Sequence, residues 1–160
     1  MSLASEVRIR RATPSDALPL REILHDTYGN TWLPQLTPVA AQAFRDEDRP
    51  ATYVAERGLE FWVAEYSGQV VGFVDWDADF VNALHVRSEN ARMGVGSRLI
   101  DRAEAEIAKA GFSTARLETD TFNTRSRAFY AARGYREADR YPDTEWKSGL
   151  TTLLLVKSLR

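Results

Sequence analysis

The stretch Asn82–Gly96, NALHVRSENARMGVG, decides how this chain is read. The apolar run Val81–Val86 predicts a strand, and it leads into a turn whose glycines, Gly94 and Gly96, flank a single residue. From Gly96 to Ala110, Leu99, Ile100, Ala103, Ile107 and Ala110 recur at the spacing of one helix face, and Gly111 supplies a stop. A strand that enters a helix through such a turn leaves the first backbone N–H groups free at the positive end of the helix dipole. That arrangement predicts a cradle for a pyrophosphate. A dinucleotide-binding G-x-G-x-x-G turn fits poorly, because its third glycine would fall on Leu99 and the turn follows a hairpin instead of opening a β-α-β unit.

Working outward, Val7–Arg11 alternates apolar and charged residues and predicts a first strand. Thr13-Pro14-Ser15-Asp16 is a helix start, followed by the apolar stripe Leu20, Ile23, Leu24 and Tyr28. Thr37-Pro38 repeats the signal ahead of a short helix at Val39–Asp48, after a loop Gly29–Pro34 that carries Trp32 and Leu33. Glu60–Tyr66 and Val70–Trp76 read as strands paired antiparallel across Ser67-Gly68-Gln69. Beyond the Gly96 helix come a strand at Ala115–Thr121, a short helix at Thr124–Arg133 ended by Gly134, and strands at Tyr135–Tyr141 and Thr151–Leu159 joined by the loop Pro142–Gly149. The sum is seven strands and four helices in one domain, residues 1–160, with no repeat or linker.

Composition narrows the chemistry. Hydrophobic residues at 44% and charged residues at 28% exclude a disordered or fibrous chain. A net charge of −2 argues against a general nucleic-acid binder, which needs a clustered positive surface. No cysteine is present, so a disulfide framework, a thiolate metal site and a cysteine nucleophile are excluded from this chain. Its two histidines, His25 and His85, do not stand in H-E-x-x-H spacing, and no metal is expected. The basic residues Arg8, Arg10 and Arg11 precede no apolar run, and nothing approaches the ~18 apolar residues of a membrane span, so the expectation is a cytoplasmic protein without a membrane partner.

A second motif makes the glycine turn specific. Asn123-Thr124-Arg125-Ser126-Arg127-Ala128-Phe129-Tyr130 follows Leu117-Glu118 and precedes Gly134-Tyr135. Together with Ala91-Arg92-Met93-Gly94-Val95-Gly96, this order resembles the GNAT superfamily of acetyl-CoA-dependent N-acetyltransferases over essentially the whole chain. The family turn reads Gln/Arg-x-x-Gly-x-Gly/Ala; here the glycines match, while the first position is Ala91 and Arg92 sits one residue along. The resemblance implies an α/β (α+β) fold with a central mixed, mostly antiparallel sheet flanked by helices.

The resemblance also implies roles. The backbone of Leu84-His85-Val86 would hold the pantetheine arm of acetyl-CoA and polarise its thioester carbonyl. Arg92, Met93, Gly94, Val95, Gly96 and Ser97 would wrap the pyrophosphate with backbone N–H groups. Asn123 and Ser126 would meet the CoA arm, the alternative for Asn123 being a plain helix cap. Tyr130 would protonate the departing sulfur, the alternative being a core tyrosine beside Phe129. Glu118 is the candidate base, with His85 and an ordered water as alternatives.

For the acceptor, Asp75, Trp76, Asp77 and Asp79 would attract and stack a small cationic amine, with Trp32 nearby; a solvated acidic loop is the alternative. The expected reaction is direct attack in a ternary complex, since no cysteine can carry the acyl group. Protein N-terminal or lysine acetylation is one alternative, and a non-catalytic acyl-CoA-binding sensor is another. The resemblance is also compatible with a homodimer through the late strands. Acceptor, base and oligomeric state stay open at this level.

Overall fold

The computed structural model describes residues 6–143 and 149–160. Seven strands form one sheet: β1 (Arg8–Arg11), β2 (Trp62–Tyr66), β3 (Gln69–Asp77), β4 (Phe80–Val86), β5 (Thr114–Asp120), β6 (Arg136–Pro142) and β7 (Thr151–Ser158). Their spatial order is β1-β2-β3-β4-β5-β7-β6, and every neighbouring pair is antiparallel except β4 with β5. This is the expected mixed, mostly antiparallel sheet. The expected loop between the last two strands falls in part, at 144–148, outside the described residues.

Among the described residues five α-helices flank the sheet, one more than the sequence suggested: α1 (Ala17–Thr27), α2 (Pro38–Glu47), α3 (Arg49–Arg57), α4 (Val95–Lys109) and α5 (Thr124–Ala132). The additional one is α3. Asp48 takes a left-handed conformation (φ 42°), which ends α2, and its carboxylate then accepts from the Ala51 N–H to cap α3, with Pro50 in the first turn.

Each face of the sheet buries its own cluster. On one, α4 lays Val95, Leu99, Ile100, Ala103 and Ile107 against Ala64, Val71, Val74, Val81, Ala115 and Leu117. On the other, Leu20, Ile23, Leu24 and Val54 of α1 and α3 cover Phe61, Val63, Val70 and Phe73. A bulge opposite Ala64 and Glu65 inserts one residue into β3, so Val70 and Phe73 point to one cluster while Val71 and Val74 serve the other. Gly72 allows α4 to lie close: a Cβ there would stand 2.8 Å from the His85 carbonyl and 3.2 Å from Val95 and Leu99. Among the described residues no helix is long and apolar enough to cross a membrane.

Candidate active site

The site begins where the parallel pair fails. β4 and β5 are in register only at Phe80 with Arg116 and Val81 with Leu117. Past these residues β4 follows β3 as far as the pairing of Val86 with Gly72, while β5 follows β7 through Asp120 opposite Thr152. Among the described residues, the β5-facing edge of Asn82–Val86 therefore has no strand partner. The wedge opens into a cleft of about 1470 Å³ lined by Leu84, His85 and Val86 from one strand and Leu117, Glu118, Thr119 and Asp120 from the other. Unpaired strand N–H and C=O groups facing such a space can hydrogen-bond an extended chain laid between the strands.

At one end lies the glycine turn. Arg92 (φ 67°) and Gly94 (φ 81°) both adopt left-handed conformations, and Gly94 is the N-cap of α4 without any side-chain cap. The first-turn N–H groups of Val95, Gly96 and Ser97 are thus left to an outside acceptor, at the positive end of a 15-residue helix. Arg92, Gly94, Val95, Gly96 and Ser97 line the cleft. Met93 does not line it; its side chain packs against the α4 cluster and its sulfur accepts from Asn90 Nδ2, so only its backbone can serve the cradle.

Helix α5 closes one side. Asn123 Oδ1 accepts from the Ser126 N–H at 3.1 Å, so the plain helix-cap role is realised, and its amide NH₂ remains for a ligand. Ser126 Oγ is tied to Thr119 Oγ1 at 2.9 Å. Tyr130 lines the cleft and is mostly buried; its ring meets Phe129 and Tyr135 edge-on, and burial pushes its hydroxyl well above the ordinary tyrosine range. The group stays protonated at neutral pH, as a proton donor must.

The opposite wall comes from the end of α1. The helix passes into a π-helical turn, Tyr28–Trp32, that brings Trp32 over the cleft. Trp32 Nε1 donates to Asp120 Oδ2 at 2.6 Å, and its ring lies 5.8 Å from that of His85. His85 Nδ1 is bonded to Thr27 Oγ1 at 2.9 Å, and burial holds the imidazole down to about 4, so it is neutral near pH 7. Glu118 is exposed, and its carboxylate accepts from the Tyr141 hydroxyl. Asp120, which the sequence did not single out, is driven above the usual carboxylate range by burial, against the lowering effect of Trp32, with Asp143 and Glu118 adding repulsion.

The acidic segment around Trp76 requires correction. Asp75 lies within β3, is fully buried, and accepts from Tyr53, Arg57 and Asn82. Trp76, on the other side of the strand, stacks near Trp62 at 6.4 Å. Asp79 is held bidentately by Arg116 at 2.8 and 2.9 Å, which lowers its carboxyl below the usual range. Of the four residues only Asp77 lines the cleft. Alternation along β3 turns Trp76 away from Asp75, and two of the three carboxylates are bound to arginines.

The cleft thus joins a split parallel pair, a glycine turn at a helix start and a buried tyrosine on the following helix. A sequence model described as the acetyltransferase (GNAT) family matches residues 18–135, and the chain belongs to that family. It is 39% identical over 110 residues to a protein named blasticidin-S acetyltransferase from Streptomyces morookaense, a match covering 68% of this chain and 74% of that protein. The fold is similar to that of a GCN5-related N-acetyltransferase of Rhodopseudomonas palustris (TM-score 0.77, 23% identity, 94% of each chain). It is also similar to PaiA N-acetyltransferase of Thermoplasma acidophilum, solved in complex with coenzyme A (TM-score 0.75, 18% identity, 95% of this chain and 98% of that one).

Proposed function

We propose that this chain transfers the acetyl group of acetyl-CoA to a primary amine of a small cationic molecule, by direct attack within a ternary complex. The observation that carries the proposal is the single cleft that joins the glycine cradle at Gly94–Ser97, the unpaired edge of β4 and the carboxylates of Glu118 and Asp120. The cradle fits a pyrophosphate because its first-turn N–H groups have no side-chain cap. The β4 edge would hold the pantetheine amides and polarise the thioester. Tyr130 would protonate the sulfur as it leaves. A cationic acceptor is favoured by Glu118, Asp120 and Asp143 around the far end, in place of the acidic segment near Trp76. The name of the Streptomyces relative makes blasticidin S the first acceptor to try.

The test is an acceptor screen with acetyl-CoA that follows free thiol for blasticidin S, polyamines, amino acids, aminoglycosides and peptide N-termini. Turnover of a small cationic amine is the expected result. Acetyl-CoA binding by calorimetry with no thiol released from any acceptor would replace the enzyme by an acyl-CoA-binding module, and a peptide as best substrate would replace the small molecule.

A further inference from the structure

We infer that Asp120, positioned by Trp32, is the group that takes the proton from the acceptor amine; this rests on the acetyl-transfer function proposed above. Of the carboxyl and imidazole groups that line the cleft, His85, Glu118 and Asp120 stand on the two strands that part, and their surroundings separate them. His85 is bonded to Thr27 through Nδ1, and burial holds its imidazole below the ordinary histidine value, whereas the Asp120 carboxyl is raised. Glu118 is exposed and is engaged by the Tyr141 hydroxyl toward β6. Asp120 stands at the end of β5, two residues along on the same face, where the strand has already parted from β4.

The partners of Asp120 are suited to a base. Trp32 fixes one carboxylate oxygen, Oδ2, through a neutral N–H at 2.6 Å, and among the described residues no hydrogen bond occupies Oδ1. Among the described residues the charged groups that act on it are Glu118 from its own strand and Asp143 beyond β6, both negative, while His85 behind Trp32 is neutral. Burial and these two anions raise the carboxyl toward the pH at which it works, and general-base efficiency improves as that gap narrows.

The proton balance closes with the residues in the cleft. An acceptor arriving as R–NH₃⁺ gives one proton to the Asp120 carboxylate, which later releases it to solvent. The freed nitrogen lone pair forms the N–C bond at the thioester carbonyl. As the C–S bond breaks, its electron pair stays on sulfur, which takes the Tyr130 proton. The second proton shed by nitrogen restores Tyr130.

The experiment uses the full chain with acetyl-CoA and blasticidin S, spermidine or lysine, reading thiol release from about pH 5 to about 9. Asp120→Asn is expected to lower kcat by about 100-fold with acetyl-CoA affinity unchanged, and to abolish the acid limb of the rate profile. Asp120→Glu should restore part of the rate and the limb. Trp32→Phe keeps the ring but removes the N–H that favours the carboxylate, so the acid limb should move to higher pH; a merely structural Trp32 would lower the rate without moving it. Glu118→Gln should keep the limb, whatever it does to the acceptor's KM.

An Asp120→Asn enzyme with an unaltered profile, or a limb that disappears in Glu118→Gln, overturns the assignment. If Asp120→Asn does not fold, the Asp120→Glu and Trp32→Phe profiles decide in the same way. Wild-type protein that releases no thiol with any acceptor of the wider screen overturns the transfer function and this assignment together, whereas an active wild type with an indifferent Asp120 overturns the assignment alone.

Discussion

Replacing Arg57 by alanine tests whether Asp75 is an anchor of the fold or a carboxylate free to draw substrate. Asp75 is wholly buried and accepts hydrogen bonds from Tyr53 Oη at 2.7 Å, Arg57 Nε at 3.0 Å and Nη2 at 2.8 Å, and Asn82 Nδ2 at 3.2 Å. Without the guanidinium, a buried negative charge is left with two neutral donors. Deleting one partner of a buried ion pair costs about 3–5 kcal/mol. The Arg57 side chain is 33% exposed, so solvent screening and the remaining donors reduce the expected cost to about 2–3 kcal/mol. At ~2–4 °C per kcal/mol for a domain of this size, the melting temperature should fall by roughly 4–12 °C. The double variant Arg57→Ala, Asp75→Asn removes the charge with its partner and should be more stable than Arg57→Ala alone by about 1 kcal/mol. Thermal and urea unfolding followed by circular dichroism would measure both. A single variant that melts within ~2 °C of wild type, or a double variant no more stable than the single, would refute the anchor.

Gly94→Ala should weaken acetyl-CoA binding about tenfold by calorimetry, because an alanine at φ 81° carries roughly 1–2 kcal/mol of strain that relaxes by deforming the cradle; unchanged affinity in the folded variant would misplace the cradle. Tyr130→Phe should lower kcat roughly ten- to a thousandfold while leaving acetyl-CoA affinity intact, since a proton donor acts in the transition state; an unaltered chemical step removes it from the mechanism. Burial depresses His85 to about 4 in the fold, so between the ordinary histidine value near 6.5 and that point the unfolded chain binds the extra proton. Its contribution to stability is therefore present above about pH 6.5 and is lost as pH falls toward 4, and His85→Gln should flatten the unfolding midpoint over this window.

The fold was legible where its determinants are local. The apolar stripe Leu99, Ile100, Ala103 and Ile107, the helix start at Thr37-Pro38 and the turn at Ser67-Gly68 each act within a few residues, and the elements they predicted are present with ends shifted by a residue or two. α3 was missed because one residue does two jobs: Asp48 ends α2 with its backbone and starts α3 with its side chain, so the signal reads as a helix end alone. The same rule divides the candidate site. The proposed cradle at Gly94–Ser97 is main chain, and the glycine conformation and helix start on which it rests could be read directly. The proposed acceptor wall is made of side chains that meet across the fold. Trp32 and Asp120 are 88 residues apart in sequence, joined only because a π-helical turn at the end of α1 faces the strand end where β5 leaves β4.

The error at Asp75 and Asp79 comes from the same division. Three aspartates around a tryptophan look like a negative patch when charge is counted along the chain. Electrostatic attraction for a substrate depends instead on what each carboxylate already faces, and Arg57 and Arg116, from α3 and β5, neutralise two of them. Their pairing has a further consequence for the acceptor end. Asp75 also binds Tyr53 and Asn82, and Tyr53, Arg57 and Asn82 all line the cleft. The buried carboxylate thus fixes the donors on the α3 side of the cleft without meeting a ligand itself. Glu118 and Asp120 are left as the negative groups of β5 that do face the opening, and the charge that supports the proposed cationic acceptor is carried by the strand whose departure from β4 creates the cleft.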